Sequence, residues 1–260
     1  MKRLSACTLL APLLAPLLAL ALFGPLLVQA DPLRQDLMAA LSPPGSGWLL
    51  GADDLGRSVL ARAVDAAGTS LGLAAGCVVL GWGGGMALGL LAAWRGGWSA
   101  AIVLRGADAM MAFPGLLLTL LVAGLLGGGA LPLVLAVALA QLPQATRTAH
   151  ALAAGVVALP FVAAARLASV APSVILAKDV LPPLLPQLLT QAAAALAQAV
   201  LTLAGLSFLG IGLPPPTPEW GGMIAEAAPF LAEAPWMAMA PAGLLVATVL
   251  GLNLLVDAPA

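Results

Sequence analysis

The chain has 260 residues, of which 62% are apolar and 8% are charged, and its formal net charge is -1. About a quarter of the residues in an ordinary globular domain are charged, so this chain has too few charges to cover a water-facing surface. The composition argues against a soluble enzyme and favours an integral membrane protein. The near-neutral net charge says little about nucleic acid, which we do not expect as a partner.

Apolar runs of about twenty residues, the length at which a helix crosses a bilayer, recur along the sequence. Helices satisfy their own backbone hydrogen bonds in lipid, where no water is present to do so. The pattern therefore predicts an all-α integral membrane protein with a single polytopic domain.

The first apolar run covers residues 4–28. Val28-Gln29-Ala30 resembles a signal-peptide cleavage site, and Leu4-Ser5-Ala6-Cys7 resembles a lipoprotein box. The run is roughly twice as long as a signal-peptide core, and the apolar core of a lipoprotein signal precedes the cysteine instead of following it. We therefore predict that residues 1–30 form the first transmembrane helix.

Residues 31–68 are more polar and contain Pro43-Pro44-Gly45 and the charged stretch Asp53-Asp54-Leu55-Gly56-Arg57. Clusters of proline, glycine and charged residues are typical of extramembrane segments. We predict an extramembrane segment that ends in a short helix.

Five further apolar runs complete a six-helix arrangement with both termini on one side of the membrane. They cover residues 69–94, 101–126, 131–151, 181–212 and 236–256. Residues 69–257 are thus predicted to form a five-helix core, with a loop at residues 147–180 between the fourth and fifth spans.

The basic residues indicate the orientation of these spans. With a cytoplasmic N-terminus, seven of the ten Lys and Arg residues lie inside, and only Arg34, Arg57 and Arg62 lie outside. Loops on the cytoplasmic side of membrane proteins carry the excess of basic residues. We therefore predict that both termini are cytoplasmic and that residues 31–68 lie on the outer, periplasmic side.

Glycine recurs every four residues at Gly81, Gly85 and Gly89. This spacing places the three residues on one helix face, where small residues allow a neighbouring backbone to approach closely. Chance is the alternative explanation, because the chain contains 29 glycines.

Arg105 and Asp108 lie three residues apart near the start of the third predicted span. One helical turn would bring the two side chains together and lower the cost of placing either charge in lipid. We predict a structural ion pair, with a substrate relay as the alternative.

The loop at residues 147–180 is unusually long for a compact bundle and favours a helix around residues 160–171. Ala163, Ala164, Ala165, Leu167 and Ala168 give this helix a small, smooth face. An interfacial helix usually carries large aromatic anchors, so the face fits a groove in another protein better than a membrane surface.

The sequence contains no P-loop, no nucleophile with a base and no metal-ligand cluster. His150 is the single histidine, and both cysteines, Cys7 and Cys77, lie in apolar runs. We therefore expect no enzymatic activity, no cofactor and no metal site in this chain. Driven transport would need a partner subunit or an ion gradient.

Four segments carry a resemblance to a known family. They are Gly51-Ala52-Asp53-Asp54-Leu55-Gly56-Arg57-Ser58-Val59-Leu60-Ala61-Arg62, Asp108 with Phe113-Pro114, Leu206-Ser207-Phe208-Leu209-Gly210-Ile211-Gly212, and Pro215-Pro216-Thr217-Pro218-Glu219-Trp220-Gly221. The last of these lies in a proline-rich stretch, residues 213–222, that is predicted to be a rigid loop. Together these segments resemble the second, C-type permease subunit of the dipeptide, oligopeptide and nickel class of ABC importers.

The loop at residues 147–180 is similar to the ATPase-coupling loop of that family. Ala163-Ala164-Ala165-Arg166-Leu167-Ala168-Ser169 aligns with its E-A-A-x-x-x-G part, and Asp179-Val180-Leu181-Pro182-Pro183 aligns with its H-I-L-P-N-like end at the same spacing. Ser169 replaces a glycine of the family. Because serine resists the positive φ that glycine permits, this change calls the family's helix-turn geometry into question.

The resemblance implies a six-helix type I ABC importer transmembrane domain (MetI-like) in the bacterial inner membrane. It also implies a homologous permease subunit as heterodimer partner, two cytoplasmic ATP-binding subunits and a periplasmic solute-binding protein. The expected solute is a dipeptide or oligopeptide, followed by nickel or a metal chelate. Two alternatives are a secondary transporter driven by an ion gradient and a nontransporting membrane scaffold.

Overall fold

The structure is a computed structural model that describes residues 28, 30–45 and 47–256, so the predicted first transmembrane helix lies almost entirely outside the described residues. Regular structure in the described part is helical, apart from one isolated bridge between Ala52 and Ser58. The α-helices are α1 (Val59–Arg95), α2 (Gly97–Met111), α3 (Gly115–Leu126), α4 (Ala130–Val157), α5 (Pro160–Leu167), α6 (Pro172–Ile175), α7 (Leu181–Phe208), α8 (Trp220–Ala227) and α9 (Trp236–Val256). A π-turn at Leu176–Val180 joins α6 to α7.

Three helical stretches are each long and apolar enough to cross a bilayer, namely Val59–Arg95, Pro172–Phe208 and Trp236–Leu254. Two further spans arise if each bent helix pair is counted as one, α2 with α3 and α4 with α5. The described residues therefore contain three to five candidate spans. This result confirms an all-helical chain with apolar spans, and it leaves the predicted count of six helices unconfirmed.

The close contact between α1 and α4 forms the centre of the bundle. A Cβ atom on Gly81 would lie 2.6 Å from the carbonyl oxygen of Ala138, and one on Gly85 would lie 2.6 Å from that of Leu142. Gly89 faces the backbone of Thr146 in the same way. Real Cβ atoms essentially never come this close to another heavy atom. The predicted glycine face is therefore confirmed as the surface along which the two backbones meet.

α1 begins ten residues before the apolar run that predicts it. Ser58 caps the helix by accepting a hydrogen bond from the backbone N–H of Ala61 at 3.3 Å, as serine commonly does at this position. The short helix predicted at the end of residues 31–68 is thus the first part of α1. At 37 residues, α1 is about 55 Å long and exceeds the thickness of the hydrocarbon core.

The span predicted at residues 101–126 is divided into two helices whose axes are bent by 89°. Pro114 lies at the break between α2 and α3. Proline lacks a backbone N–H and disfavours a helical conformation in the residue before it, here Phe113. The Phe113-Pro114 pair, predicted to lie within a span, therefore forms a corner between two helices.

Most of the predicted loop at residues 147–180 is helical. α4 continues through Arg147 and His150 to Val157, because these polar residues interrupt the apolar run without breaking the helix. The helix predicted around residues 160–171 is present as α5. By contrast, α9 covers the same residues as the span predicted at 236–256.

Substituting Gly85 by valine should destabilise the bundle, since the new side chain has to displace the backbone of α4. Overpacking of this kind costs about 1–3 kcal/mol. We expect Gly85→Val to lower the melting temperature of the detergent-purified protein, measured by fluorescence-detected size-exclusion chromatography after heating. Gly83→Val is the matched control, because a Cβ atom at Gly83 has no neighbour within 4 Å. Equal melting temperatures for the two variants would contradict this account of the α1–α4 contact.

Candidate functional site

A cleft of about 680 Å³ opens between α3, α4 and α7, and Trp82 of α1 forms part of its wall. Its volume lies within the range of small-molecule binding sites, about 300–1,000 Å³. The polar side chains that line it are carboxamides and hydroxyls: Thr119, Gln141, Gln144, Gln191, Gln198 and Thr202. Among the described residues that line this cleft, none carries a charge.

The glutamines supply the polar groups that remain available to a solute. Thr119 Oγ1 donates to the carbonyl oxygen of Gly115 at 2.7 Å, and Thr202 Oγ1 donates to that of Gln198 at 2.8 Å, so both hydroxyl protons are already used within their own helices. Gln144 and Gln198 have exposed side chains. The polarity of the cleft therefore comes mainly from primary amides.

Gln141 has a different role from the other three glutamines. Its Nε2 donates a hydrogen bond of 3.0 Å to the carbonyl oxygen of Ala195 and thereby ties α4 to α7. Its Oε1 is buried and has no hydrogen-bond partner among the described residues. Gln141 holds together the two helices between which the cleft opens.

Sequence analysis did not select these glutamines. A signal was present, because Gln141 and Gln144 are three residues apart and Gln191 and Gln198 are seven apart, spacings that keep residues on one helix face. Which faces meet depends on how α3, α4 and α7 pack, and an isolated glutamine in an apolar run does not reveal that arrangement.

α5 presents most of the residues aligned with the coupling loop to solvent. Val162 is fully buried in an apolar cluster with Ala149 and Ala153 of α4, Ile175 of α6 and Val180 of the π-turn. On α5 and just after it, Ala163, Ala164, Arg166 and Ser169 are exposed, and Ala165 is half-buried. Apolar side chains of Phe161, Leu167, Val170 and Val174 are also exposed, Leu167 by 87%. Val162 thus anchors a short helix that leaves Ala163, Ala164 and Leu167 exposed.

Ser169 adopts the left-handed conformation that the sequence made doubtful, with φ of 59°. Its N–H donates to the carbonyl oxygen of Arg166 at 3.0 Å, and the N–H of Val170 donates to that of Ala165 at 3.2 Å. These two bonds form a Schellman motif, the helix ending in which glycine is favoured at the left-handed position. The helix end therefore has the turn that glycine favours, although serine occupies the position.

Two contacts join α5 to the end of α1. The guanidinium carbon of Arg166 lies 3.8 Å from the centre of the Trp94 ring, a cation–π contact. Arg166 Nη2 also donates to the carbonyl oxygen of Trp94 at 3.5 Å. Arg166 thereby connects α5 to the C-terminal end of α1.

The second part of the aligned loop lies within a continuous helical stretch. Asp179 is in the π-turn, and Leu181 and Pro182 begin α7. Val180, between them, is buried in the same cluster as Val162. The structure thus brings the two aligned segments, 163–169 and 179–183, to one end of the bundle.

At the opposite end of α1, five charged side chains form a largely buried cluster. Arg57 Nε lies 2.6 Å from Asp53 Oδ2, and Arg57 also approaches Asp54 and Glu226 at 3.6 and 3.3 Å. Arg62 Nη2 lies 2.8 Å from Glu226 Oε2. Burying a charge is costly unless it is paired with an opposite charge. The pairing of Arg57 and Arg62 with Glu226 links residues 53–62 to α8.

Gly56 completes the turn of this cluster. Its φ is 70°, and a Cβ atom there would collide with the backbone carbonyl of Asp36. Both observations require glycine. Asp53, Asp54, Gly56 and Arg57, which the sequence groups as one motif, therefore build one structural unit.

The proline-rich stretch ends in a helix cap instead of continuing as a loop through residue 222. Glu219 accepts hydrogen bonds from the N–H groups of Gly221 and Gly222 at 3.0 and 2.9 Å, and α8 starts at Trp220. The helix begins there because the buried carboxylate satisfies its first free donors.

Trp220 and its neighbours join three helices. The indole Nε1 of Trp220 donates to the carbonyl oxygen of Ala63 in α1 at 3.0 Å, and its backbone N–H donates to Ser70 Oγ at 3.2 Å. Gly221 lies against the backbone of Ala204 in α7, and Pro218 is buried. This motif therefore positions α1, α7 and α8 relative to one another.

The Leu206–Gly212 segment terminates α7. Gly210 has φ of 84°, its N–H donates to the carbonyl oxygen of Ser207 at 3.0 Å, and that of Ile211 donates to Leu206 at 2.9 Å. This is a second Schellman motif, with glycine at the left-handed position. Phe208, the last residue of the helix, is half-exposed.

The predicted ion pair between Arg105 and Asp108 is wrong. Asp108 pairs with Arg147 of α4, and both side chains are half-exposed. Arg105 takes part in no ion pair within the described residues. Because α2 packs against α4, the side chain of Arg147 lies closer to the Asp108 carboxylate than that of Arg105, which is one turn away on α2.

Removing Glu226 should destabilise the end of the bundle at which α1 begins, because it leaves Arg57 and Arg62 buried without one of their partners. Breaking a buried pair costs about 3–5 kcal/mol, and the partial exposure of Glu226 places the expected loss at the lower end. We expect Glu226→Ala to lower the melting temperature of the purified protein. Glu233→Ala is the control, because Glu233 is exposed and has no ion pair among the described residues. If the two variants melted alike, the cluster would contribute nothing to stability.

Comparison with known proteins gives a family match over residues 85–258, to the binding-protein-dependent transport system inner membrane component family. A di/tripeptide transport system permease protein of Pseudomonas aeruginosa is 35% identical over 243 residues, which is 91% of this chain and 80% of that protein. A dipeptide transport system permease protein of Haemophilus influenzae is 33% identical, over 92% of this chain and 83% of that protein. A glutathione transport system permease protein of Pectobacterium atrosepticum is 36% identical, over 82% of this chain and 71% of that protein.

These matches cover the helices that form both the cleft and the exposed surface around α5. They confirm the resemblance to permease subunits of peptide ABC importers. The chain is a transmembrane permease and belongs to the inner-membrane components of binding-protein-dependent ABC transport systems.

Proposed function

We propose that this chain is the C-type permease subunit of a peptide importer and that the cleft between α3, α4 and α7 is its half of the solute path. The observation that carries the proposal is the combination of an uncharged, amide-lined cleft with an exposed helix, α5, at one end of the same bundle. The relatives support the choice of solute, since their names specify dipeptides, di/tripeptides and glutathione.

The proposed complex contains a homologous permease subunit as heterodimer partner, two cytoplasmic ATP-binding subunits and a periplasmic solute-binding protein, all within or against the lipid bilayer. Membership of a binding-protein-dependent transport family supports the last two kinds of partner. The open side of the cleft supports the first, because a second permease would enclose the solute.

The proposed orientation places both termini in the cytoplasm. The basic-residue distribution supports it, since Arg166 and Lys178 lie near α5 and Arg57 and Arg62 lie near the start of α1, at the opposite end. In this arrangement residues 31–68 are periplasmic, and the segment 147–180 contains the cytoplasmic coupling surface of the core, residues 69–257.

Coupling would proceed from α5 into the bundle. Closure of the ATP-binding subunits would displace the surface that includes Ala163, Ala164, Ala165, Arg166 and Ser169. The buried Val162 and the stacking of Arg166 on Trp94 would carry that displacement to α4, α7 and α1. The cleft would then change the side of the membrane that it faces, a transition between two arrangements of packed helices.

The direct test is co-purification of the tagged chain with its encoded neighbours, followed by ATP hydrolysis and dipeptide uptake in proteoliposomes with and without the candidate binding protein. We expect the binding protein to stimulate both activities. Recruitment of an ATP-binding subunit without any uptake would favour the nontransporting scaffold. Uptake without an ATP-binding subunit would favour a transporter driven by an ion gradient.

A bulky residue at Ala164 should uncouple ATP hydrolysis from uptake. Ala164 is exposed on α5, so an indole at this position is expected to block docking without disturbing the buried core. We expect Ala164→Trp to lower uptake by at least tenfold while the amount of inserted protein is unchanged. Ala164→Ser, which preserves a small side chain, is the control. Normal uptake by the tryptophan variant would place the docking surface elsewhere.

Glycine at residue 169 should stabilise the end of α5. The left-handed conformation costs a non-glycine residue about 1–2 kcal/mol, and a β-branched side chain tolerates it least. We expect Ser169→Gly to match or exceed the coupled uptake of the native chain and Ser169→Val to reduce it. Uptake and binding-protein-stimulated ATP hydrolysis should be measured together. A valine variant with native coupling would show that this turn is not required.

A further inference from the structure

The glutamines of the cleft form a row that is suited to a peptide backbone. We propose that the carboxamides of Gln144, Gln191 and Gln198 bind the main-chain N–H and C=O groups of the transported peptide, while Gln141 positions the helices that carry them. The inference rests on the proposed function, because it requires the cleft to be the solute path. It adds the chemical feature of the solute that this permease half recognises.

A carboxamide has two N–H donors and an acceptor oxygen, so it can pair with both polar groups of a peptide bond. Every peptide presents these groups at regular intervals, whatever its side chains are. Recognition by neutral amides therefore accepts many sequences, whereas a charged wall would favour side chains of the opposite charge. The hydroxyls of Thr119 and Thr202 donate to carbonyl oxygens of their own helices, which leaves the glutamines to supply the contacts.

The length of the row fits a short peptide. Gln191 and Gln198 are seven residues apart on α7, which corresponds to about 10 Å along the helix axis at about 1.5 Å per residue. An extended chain advances about 3.3–3.6 Å per residue, so the row spans about three residues of a peptide. The exposed side chain of Gln144 reaches the same cleft from α4. The cleft volume of about 680 Å³ also accommodates a solute of this size.

The same lining is unsuited to a bare metal cation. None of the described residues that line the cleft is a carboxylate, an imidazole or a thiol. These are the groups that bind transition metals in proteins, with imidazole the common ligand for nickel. An unpaired divalent charge in a weakly polar cleft has no compensation for its lost hydration. Of the two solute classes that the sequence left open, the geometry points to peptides.

The test compares trialanine with an analogue that is N-methylated at both peptide nitrogens, as substrates of the complete importer in proteoliposomes. Methylation removes the backbone donors and leaves the side chains unchanged. The variants are Gln144→Leu and Gln198→Leu, with Gln198→Met as a second replacement of similar length. Gln187→Leu is the matched control, since Gln187 is an exposed glutamine on α7 outside the cleft lining.

We expect each cleft variant to raise the half-saturating concentration of trialanine about three- to tenfold, the effect of losing one hydrogen bond. The preference for trialanine over the methylated analogue should fall by a similar factor. The binding protein contributes equally to all variants, so its own selectivity cancels when each variant is compared with the native chain. Gln187→Leu should leave both quantities unchanged, and Ni²⁺ should neither be taken up nor compete.

The outcomes separate the inference from the proposed function. Native uptake of trialanine with an unchanged preference in all three cleft variants would overturn the inference and leave the importer intact. ATP-dependent uptake of Ni²⁺ by the native complex would also overturn it. Absence of ATP-dependent peptide uptake by the native complex would overturn both. A loss of preference in Gln187→Leu equal to that in Gln198→Leu would show a general effect of leucine on α7 and would contradict recognition in the cleft.

Discussion

The backbone contact between α1 and α4 is the constraint on which the rest of the structure depends. Gly81, Gly85 and Gly89 let the two helices approach until only the methyl groups of Ala145 and Ala149 and the α4 backbone face them. Because only small side chains of α4 fit against these glycines, the rotation of α4 about its own axis is restricted. That rotation directs Gln141 and Gln144 toward α7, and it directs Ala149 and Ala153 toward Val162. The cleft and the anchoring of α5 thus both depend on glycine at these three positions of α1.

The two ends of the bundle are held by different physical means. At one end, paired charges and the hydrogen bonds of Glu219 and Trp220 fix the chain before α1 to α8. These interactions are directional and costly to break, which suits a part that keeps its shape. At the other end, α5 is held mainly by one buried valine and by an arginine stacked on a ring. Contacts of this kind are less directional, which suits the movement that we propose for α5.

Local sequence signals predicted those features of the helices that depend on residues close together in the chain. The glycine spacing in α1 predicted a close contact, and the apolar run at residues 236–256 gave both ends of α9. The same signals did not predict contacts that depend on how distant helices pack together. The pairing of Asp108 with Arg147 depends on how α2 lies against α4, and the glutamine row depends on three helices meeting. Ser169 shows a related limit, since its surroundings impose a backbone conformation that its own preference opposes.

The continuity of α1 has a mechanical consequence. Its 37 residues run without interruption from the charge cluster around Arg62 to Trp94, on which Arg166 stacks. The helix is about 55 Å long, so a single element joins the two ends of the bundle. In the coupling that we propose, a small tilt of α1 imposed at the α5 end would appear as a lateral displacement at its other end. Under the proposed orientation, this one helix would connect the ATP-binding subunits to the periplasmic face of the permease.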